Sequence, residues 1–260
     1  MPVNFGIVLI FGAAIAAAPP PTPAPSPVPD VADPCGGAHT ALLSALNRPT
    51  IGFSPCAVKP HETVVEAGYA NQSGGQAVTL FPQGFIRFGA SPNLELDVDG
   101  PNGKFDSGFG LKYEFAHDAQ HAYALDALYT LPTGSAQYTY GAPSEQLNVD
   151  YSGPLTPGTG FGTTFGAAHS ATQAIDGHTA RTTAFLPSAV VTALLNDRTQ
   201  LYLESYGSTR LRPDGGSLFG MDGGVQYLIS PQLEIDAELG RTVTDVAISH
   251  YAGIGFGIRF

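Results

Sequence analysis

The chain has no tryptophan, only two cysteines and few charges, with 13% of its 260 residues being Asp, Glu, Lys or Arg. Basic residues are the scarcer sign: 11 Lys and Arg stand against 22 Asp and Glu, a formal net charge of −11. Binding a polyanion requires clustered Lys and Arg, so nucleic acid is excluded as a partner. Cys35 and Cys56 come without the further Cys and His that a structural zinc site needs, and His117 and His121, four apart across a tight turn, read as a solvated pair. No metal or cofactor is expected. No Gly-x-Ser-x-Gly elbow occurs, and the seven histidines fall mostly in turns and loops, so no nucleophile and base are placed for hydrolytic chemistry. The chain is not read as an enzyme and no catalytic residue is assigned. Past the N-terminus, no segment reaches the roughly 18 uninterrupted apolar residues of a membrane-crossing helix.

What remains is apolar and broken by turn formers: 43% of residues are hydrophobic and 32 are glycine. That composition is too greasy for disorder and too interrupted for a helical protein. The apolar run Asn4 to Ala18 is too short to span a bilayer as a helix and ends in small residues, Ala16-Ala17-Ala18. Residues 1–18 are therefore expected to be an export signal, although no Lys or Arg precedes the run and Pro19 comes directly after that cut. Residues 19–34 form a proline-rich linker, stiff and extended. In an exported chain Cys35 and Cys56 read as a disulfide worth about 2 to 4 kcal/mol, with two free buried thiols as the alternative. Between them Leu42, Leu43 and Leu46 share a helical face. The segment 35–60 is thus a short, disulfide-closed helical piece that either plugs or flanks the periplasmic mouth of the larger domain C-terminal to it.

From His61 to Phe260 the periodicity becomes that of strands. Leu94, Leu96 and Val98 alternate with Glu95, Asp97 and Asp99. Phe109, Leu111, Tyr113 and Phe115 alternate with Gly108, Gly110, Lys112 and Glu114. Leu233, Ile235, Ala237 and Leu239 alternate with Glu234, Asp236 and Glu238. Because strand side chains point to opposite faces in turn, each segment has one greasy and one polar side. About twelve such strands are legible, an even number as in bacterial barrels. Short connections (Ser91-Pro92-Asn93, His117 to His121, Pro154 to Thr159, Leu195 to Thr199, Ser230-Pro231-Gln232) alternate with longer ones at Pro132 to Gln146, Ser170 to Ala180, Thr209 to Ser217 and Gly240 to Ile248. A soluble sandwich needs no such asymmetry, whereas outer-membrane barrels have short periplasmic turns and long outer loops. Gly158-Thr159-Gly160-Phe161-Gly162 lacks the lysine of a phosphate loop and reads as a turn entering a strand. The expected fold is an all-β, transmembrane antiparallel β-barrel over 61–260, apolar face to the membrane lipid, with Tyr69, Phe88, Tyr129, Tyr151 and Phe161 placed for interfacial girdles.

On this topology the lumen receives Glu66, Arg87, Glu95, Asp97, Lys112, Glu114, Asp126, Asp150, Glu204, Asp222, Glu234, Asp236, Glu238 and Arg259. These are the candidate pore residues. An open lumen of that charge favours cations; alternatively the carboxylates pair with the few bases and fill a closed interior. The terminal stretch Y-A-G-I-G-F-G-I-R-F puts Ala252, Ile254, Phe256, Ile258 and Phe260 on one face and three glycines with Arg259 on the other. It resembles the closing strand that outer-membrane barrels present to the barrel assembly machinery, with Phe256, Ile258 and Phe260 as the signal face.

The segment Leu131-Pro132-Thr133-Gly134, the strand Leu147 to Leu155 (L-N-V-D-Y-S-G-P-L) and the Phe-terminated end resemble the outer-membrane transporters of the MetA-pathway-of-phenol-degradation type. The resemblance spans about His61 to Phe260. It implies a bacterial outer-membrane barrel that passes small, often hydrophobic or aromatic compounds without catalysis. The identity of the solute is not legible in the residues, and a closed barrel that is structural or binds a surface is the other reading.

Overall fold

The structure is a computed structural model and describes residues 34–36, 41–73, 79–99, 107–136 and 140–260. The expected signal and nearly all of the proline-rich linker lie outside the described residues. Twelve strands are present: β1 (Thr63–Ser73), β2 (Thr79–Ser91), β3 (Leu94–Asp99), β4 (Ser107–His117), β5 (Ala122–Leu131), β6 (Ser144–Thr156), β7 (Thr159–Gln173), β8 (Thr179–Asn196), β9 (Thr199–Ser208), β10 (Leu218–Ser230), β11 (Leu233–Thr244) and β12 (Ile248–Arg259). Each pairs with its sequence neighbours, and β1 pairs with β12 to close the barrel. The seam register runs antiparallel from Val64 opposite Arg259 to Ser73 opposite His250, so neither strand leaves a free edge. Closure is what hydrocarbon demands, because an unpaired N–H or C=O there has no water to bond.

The barrel is inverted relative to a water-soluble one. Phe109, Leu147, Phe165 and Leu203 are each more than half exposed on the outer face, whereas Glu66, Arg87, Glu95 and Lys112 are completely buried inside. Such a continuous apolar belt is stable against lipid and not against water, so these strands cross a membrane. No helix among the described residues is long and apolar enough to do so. At the end bearing the short turns, His121, Tyr123, Tyr151 and Phe161 cluster around Tyr151, with ring centroids 5.0 to 6.4 Å apart. Their position matches the aromatic girdle of a membrane interface.

The short connections lie where the alternation predicts them, closed by pairs such as Ser91 with Leu94, Asn196 with Thr199 and Ser230 with Leu233. On the other side, the stretches read as long loops at Ser170 to Ala180 and Gly240 to Ile248 are largely strand. There β7 runs to Gln173, β8 starts at Thr179, β11 runs to Thr244 and β12 starts at Ile248. Their polar composition reflects hairpins that continue beyond the bilayer into water, where pairing still satisfies the backbone. Gly158, at a φ of +80°, takes the left-handed position of the β6–β7 turn that a side chain would strain.

Ahead of β1, Cys35 and Cys56 form a disulfide, and the described residues 41–56 enter the barrel and plug the lumen. Its helix α1 (Ala41–Ala45) spans 5 residues. Leu42, Leu43 and Leu46 are almost completely buried with Val58, Val64 and Leu228, which is the apolar face the sequence marks. The seam makes room for it. Gly68 and Gly255 face each other across the seam, and a Cβ on either would lie 2.2 to 2.6 Å from the Arg48 guanidinium. A Cβ on Gly257 would lie 2.5 Å from Leu46.

Two measurements check this arrangement. Gly257→Val overpacks the Leu46 contact and is expected to cost about 1 to 3 kcal/mol in urea unfolding and to make 46–56 more sensitive to protease. Outside the membrane, Arg212 pairs with Asp245 at 2.7 Å and Asp214 accepts the Ile175 N–H at 3.2 Å, which ties three outer hairpins together. The Arg212 hydrogen bonds hold the Asp245 carboxyl below its ordinary range, and the Ile175 N–H does the same first of all for Asp214. A carboxylate depressed in the folded state contributes order above its unfolded value and loses it as pH falls through the folded one. Hydrogen exchange in 174–178 and 245–247 is therefore expected to accelerate on acidification below the usual carboxylate range, and not between pH 6 and about 8.

Candidate functional site: the plugged lumen

A segment with little regular structure brings its backbone N–H groups into the barrel without partners, and buried donors must find acceptors. The acceptors are side chains of the wall. Glu66 on β1 takes the N–H groups of Asn47 (3.0 Å) and Arg48 (2.8 Å). Glu204 on β9 takes those of Ile51 (2.7 Å) and Gly52 (2.8 Å). Thr164 on β7 takes that of Phe53, Glu114 on β4 that of Ala57, and Glu95 on β3 that of Val58. Hydrogen bonds to ionised acceptors are roughly twice as strong as neutral ones. The wall thus holds much of the plug by its main chain.

The buried bases organise the rest. Arg87 on β2 meets Glu66 at 2.7 Å and Glu95 at 2.8 Å, with Asp97 at 3.9 Å. The same guanidinium donates to the carbonyl oxygen of Ala45, at the end of α1, and to that of Cys56 at 3.4 Å. One wall residue therefore secures both ends of the plug. Lys112 on β4 lies 3.5 Å from Glu95 and 3.8 Å from Asp126. From the plug, Arg48 pairs with Asp236 on β11 at 3.0 Å. Asp150 accepts the Thr164 hydroxyl at 2.7 Å, and Asp222 accepts that of Tyr251 at 2.5 Å. Glu234 is buried opposite Gly257, beside Leu46, and Glu238 lies over Gly253. Arg259 sits at the periplasmic rim, 3.7 Å from Glu62 and donating to the Pro231 carbonyl oxygen at 3.0 Å.

The residues expected inside the barrel are thus brought together there, with Arg259 at its edge. Most of the carboxylates on β1 to β4 meet a base or the plug instead of an open channel. Phe256 on β12 and Phe260, the residue after that strand, are exposed. Sequence reasoning missed the groups on the plug itself, Asn47 and Arg48, and the neutral wall partners Thr164 and Gln226. Gln226 donates to the Arg48 carbonyl oxygen at 3.1 Å. The one signal for Arg48 was the bare lumen side of β12, where glycines leave space that something must fill. Cys35, Glu114 and His117 come close together, but the thiol is spent in the disulfide, so the cluster is no metal site.

On the β6 to β10 side the plug leaves room. A cavity of about 430 Å³ lies between plug and wall and reaches the periplasmic turns at Pro154, Gly158 and Asp197. The plug contributes Leu43, Leu46, Phe53 and Pro55 to it, and the wall contributes Thr164, Ser188, Thr192, Gln200 and Gln226. Its lining is uncharged for most of its extent, unlike the opposite wall. The loop Arg48 to Phe53 closes its outer end through the Gln226, Glu204 and Thr164 contacts.

The profile of the family described as "Putative MetA-pathway of phenol degradation" matches residues 46–260, so the match begins inside the plug. Among solved structures, the chain is similar to the COG4313 outer membrane channel from Pseudomonas putida F1, with a TM-score of 0.59 and 11% identity over 78% of this chain and 97% of that one. It is also similar to the NanC porin, with a TM-score of 0.55 and 14% identity over 74% of this chain and 98% of that one. At these identities the likeness is one of fold. A search of the curated proteins finds no match.

If Arg87 is the common tie, Arg87→Ala leaves Glu66 and Glu95 buried without it and is expected to destabilise by about 3 to 5 kcal/mol. Arg181→Ala, at the half-exposed pair with Glu145, is expected to cost no more than about 1 kcal/mol. Urea unfolding of the refolded barrel compares the two.

Proposed function

The chain belongs to the MetA-pathway-of-phenol-degradation family of bacterial outer-membrane barrels, and on that premise we propose that it passes small solutes, hydrophobic and aromatic ones included, passively across the outer membrane. The observation that carries the reading is the cavity beside the plug, lined mostly by uncharged groups, open toward the periplasmic turns and closed outward by the loop Arg48 to Phe53. A lining of hydroxyl and amide groups opposite leucine, phenylalanine and proline suits a compact, partly apolar solute better than an ion, because it offers few fixed charges and a large apolar area. The porin and channel named among the fold neighbours support the same direction. No catalytic step is assigned to any residue. The same reading gives Phe256 and Ile258 of β12, with Phe260 just after it, to the barrel assembly machinery as the face it engages.

The tight main-chain clamping of the plug favours a second reading, a closed barrel that does not conduct. Planar-bilayer recording and liposome swelling separate the two. Thr164→Val combined with Glu204→Ala frees the loop Arg48 to Phe53 and is expected to raise conductance severalfold, whereas Thr192→Phe, filling the cavity, is expected to lower solute flux. A folded barrel without step conductance, in which neither variant changes flux, would establish the closed reading.

A further inference from the structure

Around the Glu204 contact with the plug, β9 to β12 carry a surface that the channel reading does not use: Tyr206 stands two residues outward of Glu204 and Tyr202 two residues toward the periplasmic turn. Three tyrosine rings on this wall pack over glycines. A Cβ on Gly220 would lie 2.2 Å from the Tyr206 ring, one on Gly240 2.2 Å from the Tyr251 ring, and one on Gly224 2.7 Å from the Tyr202 ring. A side chain at any of these positions would force its tyrosine off the wall. Tyr206 and Tyr251 are half-buried, which leaves part of each side chain open to the lumen, and the ring faces are the electron-rich part of an aromatic side chain.

The phenols are also fixed in direction. Tyr206 and Tyr251 share a hydrogen bond at 3.0 Å, and Tyr251 donates to Asp222 at 2.5 Å. Asp222 is directly opposite Glu204 on β9, and Gly224, two residues along, stands between Tyr202 and Glu238. Glu204 is committed to the plug through the Ile51 and Gly52 N–H groups. The nearest base, Arg48, is paired with Asp236, and Glu238 shares its charge. The patch therefore holds more carboxylates than one guanidinium neutralises. Two polar atoms are left over: the Tyr202 hydroxyl, on a side chain 5% exposed, and the second carboxylate oxygen of Asp222, on one 3% exposed, have no hydrogen-bond partner. Buried polar groups without partners are costly and rare. Here both belong to one patch, one offering a phenolic donor and acceptor and the other an anionic acceptor.

We propose that Tyr202, Tyr206, Tyr251, Asp222 and Glu238 form a binding site in the lumen for small organic cations that carry an ammonium group on a planar apolar body. The ammonium donates to Asp222 and Glu238, and the apolar body lies against the tyrosine faces, which also attract positive charge. An anion is repelled by both carboxylates, and a neutral aromatic gains the ring contact alone. The inference deepens the transport reading by naming a solute class that the lumen collects, but binding itself does not require that the barrel conduct.

The test uses the full barrel refolded in detergent, with benzylammonium, benzyl alcohol and benzoate as probes of one size. Titration calorimetry is paired with emission, which in a chain without tryptophan comes from tyrosine. Benzylammonium is expected to bind saturably and to change the tyrosine emission, benzyl alcohol to bind at least about tenfold more weakly, and benzoate not to bind. Asp222→Asn is expected to weaken benzylammonium about tenfold by removing a charge-assisted bond, and Gly240→Leu to abolish the emission change by lifting the Tyr251 ring. Arg181→Ala, at the half-exposed pair with Glu145, serves as a control that leaves binding unchanged. Equal binding of benzoate and benzylammonium, no saturable binding, or an unaltered affinity in Asp222→Asn would overturn the site. Liposome swelling on the same preparations keeps the two readings apart: binding without flux refutes transport and not the site, and flux without binding does the reverse.

Discussion

The main chain of the plug needs hydrogen-bond acceptors, and the carboxylates of the barrel wall supply them. This constraint ties together features that look unrelated in isolation. An inserted segment of little regular structure cannot satisfy its own N–H groups, and in a water-poor lumen each unsatisfied one is costly. Glu66 and Glu204, each taking two successive amides, turn the acidity of the wall into a means of holding polypeptide. Arg87 then joins Glu66 and Glu95 to the carbonyls of Ala45 and Cys56. With the Cys35–Cys56 disulfide, the plug is bound to itself and to the wall at both ends.

The same division explains why the lumen is not uniform. Charge is concentrated where β1 to β5 meet the plug, and there it is consumed by ion pairs and amides. The wall from β6 to β10 is rich in Thr, Ser, Gln and Gly, and there the cavity remains. Around the Glu204 contact, the tyrosines and carboxylates of β9 to β12 form a third zone.

Glycine on the inner face has a distinct use in this barrel. Gly68, Gly255 and Gly257 admit the plug, and Gly220, Gly224 and Gly240 admit tyrosine rings. In both groups the missing side chain is replaced by one from elsewhere in the chain, so the lumen is filled by tertiary contacts where a strand of larger residues would fill it locally. The polar hairpin ends beyond the bilayer obey a different logic, since water and strand pairing satisfy them directly.

The alternation of greasy and polar positions along strands such as Leu94–Asp99 and Leu233–Leu239 determined the barrel, the side each residue faces and the pairing of β1 with β12. A period of two and the ban on free edges in lipid leave little else. The same pattern placed the lumen carboxylates, because facing is a local property of an extended chain. It could not say what those carboxylates meet. That Glu66 and Glu204 bind amides of residues 47–52, that Arg48 fits between Gly68 and Gly255, and that Tyr202, Tyr206 and Tyr251 pack over glycines are contacts between separate segments of the chain. Only tertiary structure decides these, since the position of a plug is set by where its buried donors find acceptors and not by any periodicity of its own.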